Sequence, residues 1–149
     1  MRERVVGVVC FVPVFLGAML LERVLLRAGL SGPATPLPSF LKEQGPTEAL
    51  LATILVTVVA LAEETIFRGY LLLRFLPILR STTTSVLLSL AIFAVGHGYE
   101  GSAGLATVGV MGAVFALVYL WRGSLLAPIV MHFLQDILSI VLLPLLGAK

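Results

Sequence analysis

The chemistry available to this sequence lies in six ionisable residues. Glu63 and Glu64 are adjacent, with Arg68 one helical turn later. His97 stands between Gly96 and Gly98, and His132 precedes Asp136 by four positions. All six lie in otherwise apolar runs, and His97 and His132 are the only 2 histidines among 149 residues. The i, i+4 spacing sets Glu64 beside Arg68 with the acid N-terminal, the favourable order for a helical ion pair, and leaves Glu63 without a local partner. The same spacing puts His132 and Asp136 on one face, where the carboxylate can orient the imidazole or both can meet one ligand. A free carboxylate with two imidazoles suits activation of water, either by Glu63 as general base or through a bound metal. Hydrolysis is the reaction that follows. Glu63, His97 and His132 also form a His2Glu set of the kind that holds catalytic zinc, although the helical H-E-x-x-H form is absent, so metal dependence stays open.

The ordinary reading of Glu63, Glu64 and Arg68 is a cluster that snorkels to a membrane interface, and that of a lone histidine is packing. Against it stands the cost of each mid-bilayer charge, about 2.5–3.5 kcal/mol on insertion scales. That cost, together with two histidines and Asp136 at a matching depth, favours one shared polar site.

These side chains must be positioned by membrane helices. The chain is 59% hydrophobic and 12% charged, with a mean hydropathy of +1.10, outside the balance of a soluble domain. An all-α, polytopic membrane bundle of about five transmembrane helices is expected over residues 5–26, 48–76, 83–97, 103–121 and 125–146, since lipid leaves backbone groups no partner outside a helix. The lipid bilayer is thus the first partner, and a multi-pass protein of the cell membrane the expected location. Residues 28–46, rich in Gly and Pro, read as a loop. It divides an N-terminal helix and loop, 1–47, from a four-helix core, 48–149, within a single membrane domain. The apolar run after Arg4 lacks a clear A-x-A cleavage site and reads as an uncleaved first span. The net charge of +2 comes from scattered Lys and Arg, which argues against a nucleic-acid partner. Cys10 is the sole cysteine, which excludes an internal disulfide and a cysteine-based zinc site.

Depth decides how the second segment runs. A span ending at Glu63, followed by an interfacial helix, would put His97 at the far end of span three. A continuous helix to Leu76 places Glu63 about 20 Å from the hairpin at residues 77–82, and His97 about 21 Å from it on the way back. The last span then carries His132 about 11 Å and Asp136 about 17 Å deep on the same side. Pro128 falls in the first turn of that span, where its missing N–H costs little. Gly109/Ala113 and Gly112/Ala116 allow close helix packing on span four.

Glu63-Glu64-Thr-Ile-Phe-Arg68, Phe93-Ala-Val-Gly-His97 and His132-Phe-Leu-Gln-Asp136, in that order, resemble the three motifs of the CPBP intramembrane proteases, the CAAX-protease and bacteriocin-processing or Abi family. The resemblance covers about residues 48 to 140. It implies a hydrolase whose Glu63 and His97 activate a water, whose His132 and residue 136 help bind the oxyanion, and whose Glu64 and Arg68 support them. It also implies a membrane-associated or lipidated peptide substrate. The family often carries Asn where this chain has Asp136; an ionised Asp cannot donate a hydrogen bond to an oxyanion, and it can instead be protonated, orient His132 or bind a metal. Two other classes compete: a non-catalytic membrane immunity or scaffold protein that keeps the motif for packing, and a proton or ion carrier, since intramembrane Glu and His also build relays.

Overall fold

The computed structural model describes residues 1–33 and 45–143. The part of the expected loop holding Pro36 and Pro38, and the end of the expected fifth span, lie outside the described residues. Those described form five helices and no strand, as the apolar pattern requires. We number them α1 (Arg2–Arg27), α2 (Pro46–Leu79), α3 (Thr82–Gly96), α4 (Gly101–Arg122) and α5 (Leu126–Leu142). α1, α2 and α4 are long and apolar enough to cross a membrane, whereas α3 and α5 are shorter apolar helices. Large apolar side chains face outward along the bundle, among them Leu16, Leu20, Leu51, Val58, Val95 and Trp121. In lipid that outward belt is solvated like a core.

α2 is one continuous element, but not one continuous α-helix. It is α-helical over Pro46–Glu64, widens to π-register over Thr65–Leu72, and returns to α over Leu73–Leu79. It runs three residues past the expected end because Pro77, in the last turn, forfeits only its own N–H. The turn is made instead by Arg80 in left-handed conformation, φ 51°. Ser81 then caps α3, its Oγ accepting from Thr84 N–H at 3.2 Å.

α1 packs on α5 and α4. A Cβ at Gly7 would lie 2.8 Å from the Ala127 carbonyl oxygen and from Val130 Cβ, so the absence of a side chain sets that crossing. Phe11, Ala18, Met111, Phe115, Val118, Ala127 and Met131 fill the space between the three helices. Arg122 holds Glu3 with two hydrogen bonds, of 3.0 and 2.6 Å. Pro128 lies in the first turn of α5, as expected, and the small residues of α4 face α3: Gly109 approaches Leu90 and Ala94, and Gly112 approaches Phe93.

Candidate active site

Glu63 and Glu64 end the α-helical part of α2 and Arg68 sits in its π-segment. The Phe67 carbonyl in that segment accepts the Ser89 hydroxyl of α3 at 3.0 Å, which joins the widened turn to its neighbour. π-turns inside helices are frequent at functional sites. Glu64 is fully buried and Arg68 is 2% exposed. Arg68 Nη1 donates to Glu64 Oε1 at 2.8 Å, the expected ion pair, and its Nη2 donates to the Gly112 carbonyl at 2.9 Å. The guanidinium lies 4.5 Å from the centre of the Phe93 ring and 5.6 Å from that of Phe115. An ion pair this dry costs several kcal/mol to desolvate and is held only where further bonds and ring faces satisfy it.

His97 is not inside α3 but at its C-cap, φ −101° and ψ 17°. Its backbone N–H turns to the Ala94 carbonyl at 2.8 Å. The Phe93 carbonyl, one of the orphan acceptors every helix end leaves, is met by His97 Nδ1 at 2.9 Å. A carbonyl only accepts, so Nδ1 carries the proton and Nε2 is the free nitrogen.

His132, one turn from the end of the α-helical part of α5, is fixed by a different kind of partner. Its Nδ1 meets Glu64 Oε1 at 2.9 Å, the oxygen that also accepts from Arg68. Nδ1 is again the donor and Nε2 again points free, 3.5 Å from Asp136 Oδ2.

Both free nitrogens converge on Glu63. Its Oε2 lies 3.9 Å from His97 Nε2 and 3.8 Å from His132 Nε2. That oxygen is buried and has no hydrogen-bond partner. Separations of this size between polar atoms leave room for a bridging water. A water against this triangle would meet one strong acceptor and two imidazole nitrogens. Beside it opens a cavity of about 640 Å³ lined by His97, His132, Asp136 and Phe93 together with Glu22 and Pro33.

Whether the same three side chains fit zinc can be judged from their spacing. Ligands about 2.0–2.1 Å from a tetrahedral zinc stand about 3.3–3.4 Å from one another; Glu63 Oε2 stands 3.8 and 3.9 Å from the imidazole nitrogens. Among the described residues no group of three or more His, Cys, Asp or Glu side chains is arranged to hold a metal ion. The residues as placed do not fit the zinc expectation, and no step below is routed through a metal.

All six expected residues therefore meet in one layer, four of them around the Nε2 nitrogens and two behind His132. Two contributors were not expected as site residues. Gly112, read as a packing glycine, supplies the carbonyl that holds Arg68, and a Cβ there would come 2.9 Å from Phe93 and 3.1 Å from Arg68 Nη2. Glu100, at the turn before α4, lines the cavity; a glutamate at a helix end is too common to have marked it.

The family model described as Type II CAAX prenyl endopeptidase Rce1-like matches residues 45–138, more than half of the chain. The chain belongs to this family. The Rce1-like match spans α2 to just past Asp136, takes in all six residues and leaves α1 outside. Rce1-like proteins are peptidases by that description, and the apolar helices make this one a membrane protein. No curated protein and no solved structure matches the chain.

Proposed function

We propose that this protein is a CPBP-type intramembrane endopeptidase, multi-pass in the cell membrane, that hydrolyses a peptide bond of a membrane-associated or prenylated, CAAX-like substrate. The observation that carries the reading is the pair of imidazole Nε2 atoms facing the unpartnered Glu63 Oε2 at 3.8 and 3.9 Å, each ring locked through Nδ1. A water held between Glu63 and His97 loses its proton to Glu63 as its oxygen attacks the scissile carbonyl. The carbonyl oxygen becomes an oxyanion. His132, protonated at Nε2 as well as Nδ1, donates to it, and the buried Glu64 on the far side of the ring favours that cationic form. Glu63 then passes its proton to the leaving amine, and the C–N bond breaks. Asp136 Oδ2, 3.5 Å from His132 Nε2, balances the charge of that ring until substrate arrives.

Glu63→Gln keeps the shape and removes the base. Cleavage of a farnesylated reporter peptide by purified protein in detergent should fall by about 10²–10⁴-fold, with the melting curve unchanged. Activity near the wild-type level in that variant would overturn the assignment of Glu63 as the general base, whereas a wild type that cleaves nothing would return the protein to the scaffold reading. Because the donor spacing does not fit zinc, cleavage should also survive a chelator, and elemental analysis of active protein should find less than one zinc per chain. Activity lost to chelation and restored by zinc alone would reverse that conclusion.

A further inference from the structure

The reaction above uses the imidazole end of the cavity of about 640 Å³ and leaves the walls beyond it without a role. On α5 the lining residues are His132, Gln135, Asp136, Ser139 and Ile140, spaced as one helix face. That face stays polar as far as Ser139. The α4 wall is Gly104, Thr107, Val108, Met111 and Phe115, and its single hydroxyl is spent: Thr107 Oγ1 donates to the Ala103 carbonyl at 2.9 Å. The cavity therefore has a polar wall along α5 and an apolar wall along α4.

Gln135 stands on the polar wall, and the mechanism does not use it. It is half-buried, and its Nε2 donates to Ser139 Oγ at 3.4 Å, longer than the range of about 2.7–3.2 Å for a well-made bond. Among the described residues its Oε1 accepts no hydrogen bond. An amide held this loosely can exchange its partner for a ligand. A peptide that reaches this depth needs such a partner, because its own N–H and C=O groups have left water. In an extended chain the N–H and C=O of one residue point to the same side, and a primary amide, with coplanar donor and acceptor, matches both. The other polar groups of the lining fit less well: Glu22 and Glu100 are carboxylates, which only accept, and Tyr99 is 67% exposed. The register also agrees. Three residues along α5 rise about 4.5 Å, and residues of an extended chain that face one wall recur about every 6.6 Å, so the difference of about 2 Å is within reach of a glutamine side chain.

We propose that Gln135 binds the substrate backbone, its Nε2 donating to the C=O and its Oε1 accepting the N–H of the residue two positions from the one whose carbonyl is attacked. The inference rests on the hydrolase reading and adds how the substrate lies along α5. Ser139 gives up its contact with Gln135 when the substrate enters. Main-chain groups are common to all peptides, so this contact sets how tightly and in which register a substrate lies rather than which sequence is chosen.

The test uses the full chain in nanodiscs and three farnesylated reporter peptides. One is the all-amide parent; in the other two an ester oxygen replaces the N–H of the residue two positions before, or two positions after, the one whose carbonyl is attacked. Gln135→Met keeps the length of the side chain and removes both hydrogen bonds. On the parent it should raise KM about tenfold with kcat within about twofold, the scale of one or two net hydrogen bonds. On one of the two ester peptides the same variant should cost no more than about threefold, because the ester has already removed a bond that Gln135 makes. A side chain that only packed would cost the same on all three. An unchanged KM on the parent, or equal losses on all three peptides, overturns the proposal. Gln135→Ala gives the same reading should the Met variant not fold. If the wild type cleaves none of the three, the hydrolase reading falls separately, and the comparison is made on Kd by fluorescence titration of the peptides onto wild-type and variant protein. A loss of affinity in Gln135→Met that one ester abolishes upholds the backbone contact, and equal losses or none overturn it.

Discussion

His97 and His132 present the same nitrogen to the same oxygen, yet they are held in opposite ways. His97 is positioned locally, its Nδ1 on the Phe93 carbonyl four residues back. Nothing but the end of its own helix is needed. His132 is positioned by tertiary structure: Glu64 on α2 accepts its Nδ1, Arg68 holds Glu64, and the Gly112 carbonyl of α4 holds Arg68. Three helices must be docked before that ring is fixed. The local anchor is cheap and robust, since a helix end always has carbonyls to offer. The tertiary anchor is dry and expensive, but it places a negative charge behind the ring that must become cationic. The difference matches the proposed roles: His97 has only to hold a water, whereas His132 must meet developing charge.

The strongest way to break this comparison is Arg68→Leu. It leaves Glu64 charged and buried, and it orphans the Gly112 carbonyl. Losing one member of a buried pair costs about 3–5 kcal/mol, so denaturant unfolding in detergent should show a loss of that size. His97→Ala should abolish cleavage with little change in stability, because only a helix-end carbonyl loses its partner. Equal stability losses in the two variants would mean that the two anchors are alike after all.

How far the sequence foretold this arrangement follows the same division. Rare charges in apolar runs pointed to the site, and local spacing supplied the Glu64–Arg68 pair, seen at 2.8 Å. Depth arithmetic brought Glu63 and His97 level and placed Asp136 and His132 on the same side, because rise per residue is nearly constant. What stayed hidden is nonlocal or off-period. The Glu64–His132 bond spans 68 positions, and nothing in i, i+4 logic shows that one oxygen can serve two donors. The π-segments at Thr65–Leu72 and Ile137–Leu142 leave no trace in a hydrophobic pattern read at 3.6 residues per turn. His97 was expected within a span and is its C-cap, a shift of one residue that gives its ring a carbonyl to bind. The glycines on either side were the visible hint. The expected hairpin at residues 77–82 is turned at Arg80 and Ser81, with Pro77 kept inside the helix, because a proline late in a helix disrupts little.

Gly112 sharpens the comparison from the tertiary side. In Gly112→Ala the new methyl would meet Phe93 Cδ1 at 2.9 Å and Arg68 Nη2 at 3.1 Å. Overpacking of this kind costs about 1–3 kcal/mol, and the displaced guanidinium should carry Glu64 and then His132 with it. Both stability and kcat are expected to fall. Phe93→Leu in the same chain should restore part of each, because it frees space while leaving the backbone carbonyl that holds His97. Without such a rescue, the loss would not run through the packing of Phe93 against Arg68.

The smallest effect is expected at Asp136, which faces only one of the two rings. Its Oδ2 is 3.5 Å from His132 Nε2, and it lies on the cavity wall rather than behind the imidazole. With Glu64 already fixing the ring through Nδ1, Asp136 is the weaker of two restraints on the same side chain. Asp136→Asn keeps the shape, retains an acceptor for Nε2–H and adds a donor that can reach an oxyanion. Cleavage should change by less than about tenfold, the lower end of what partners behind a reacting group cost. Asp136→Ala, which offers neither donor nor acceptor, should lose more, chiefly in kcat. If Asp136→Asn were as inactive as Glu63→Gln, the carboxylate itself would be reacting. The water would then sit between Asp136 and His132, and the tertiary arm, not the local one, would be where catalysis begins.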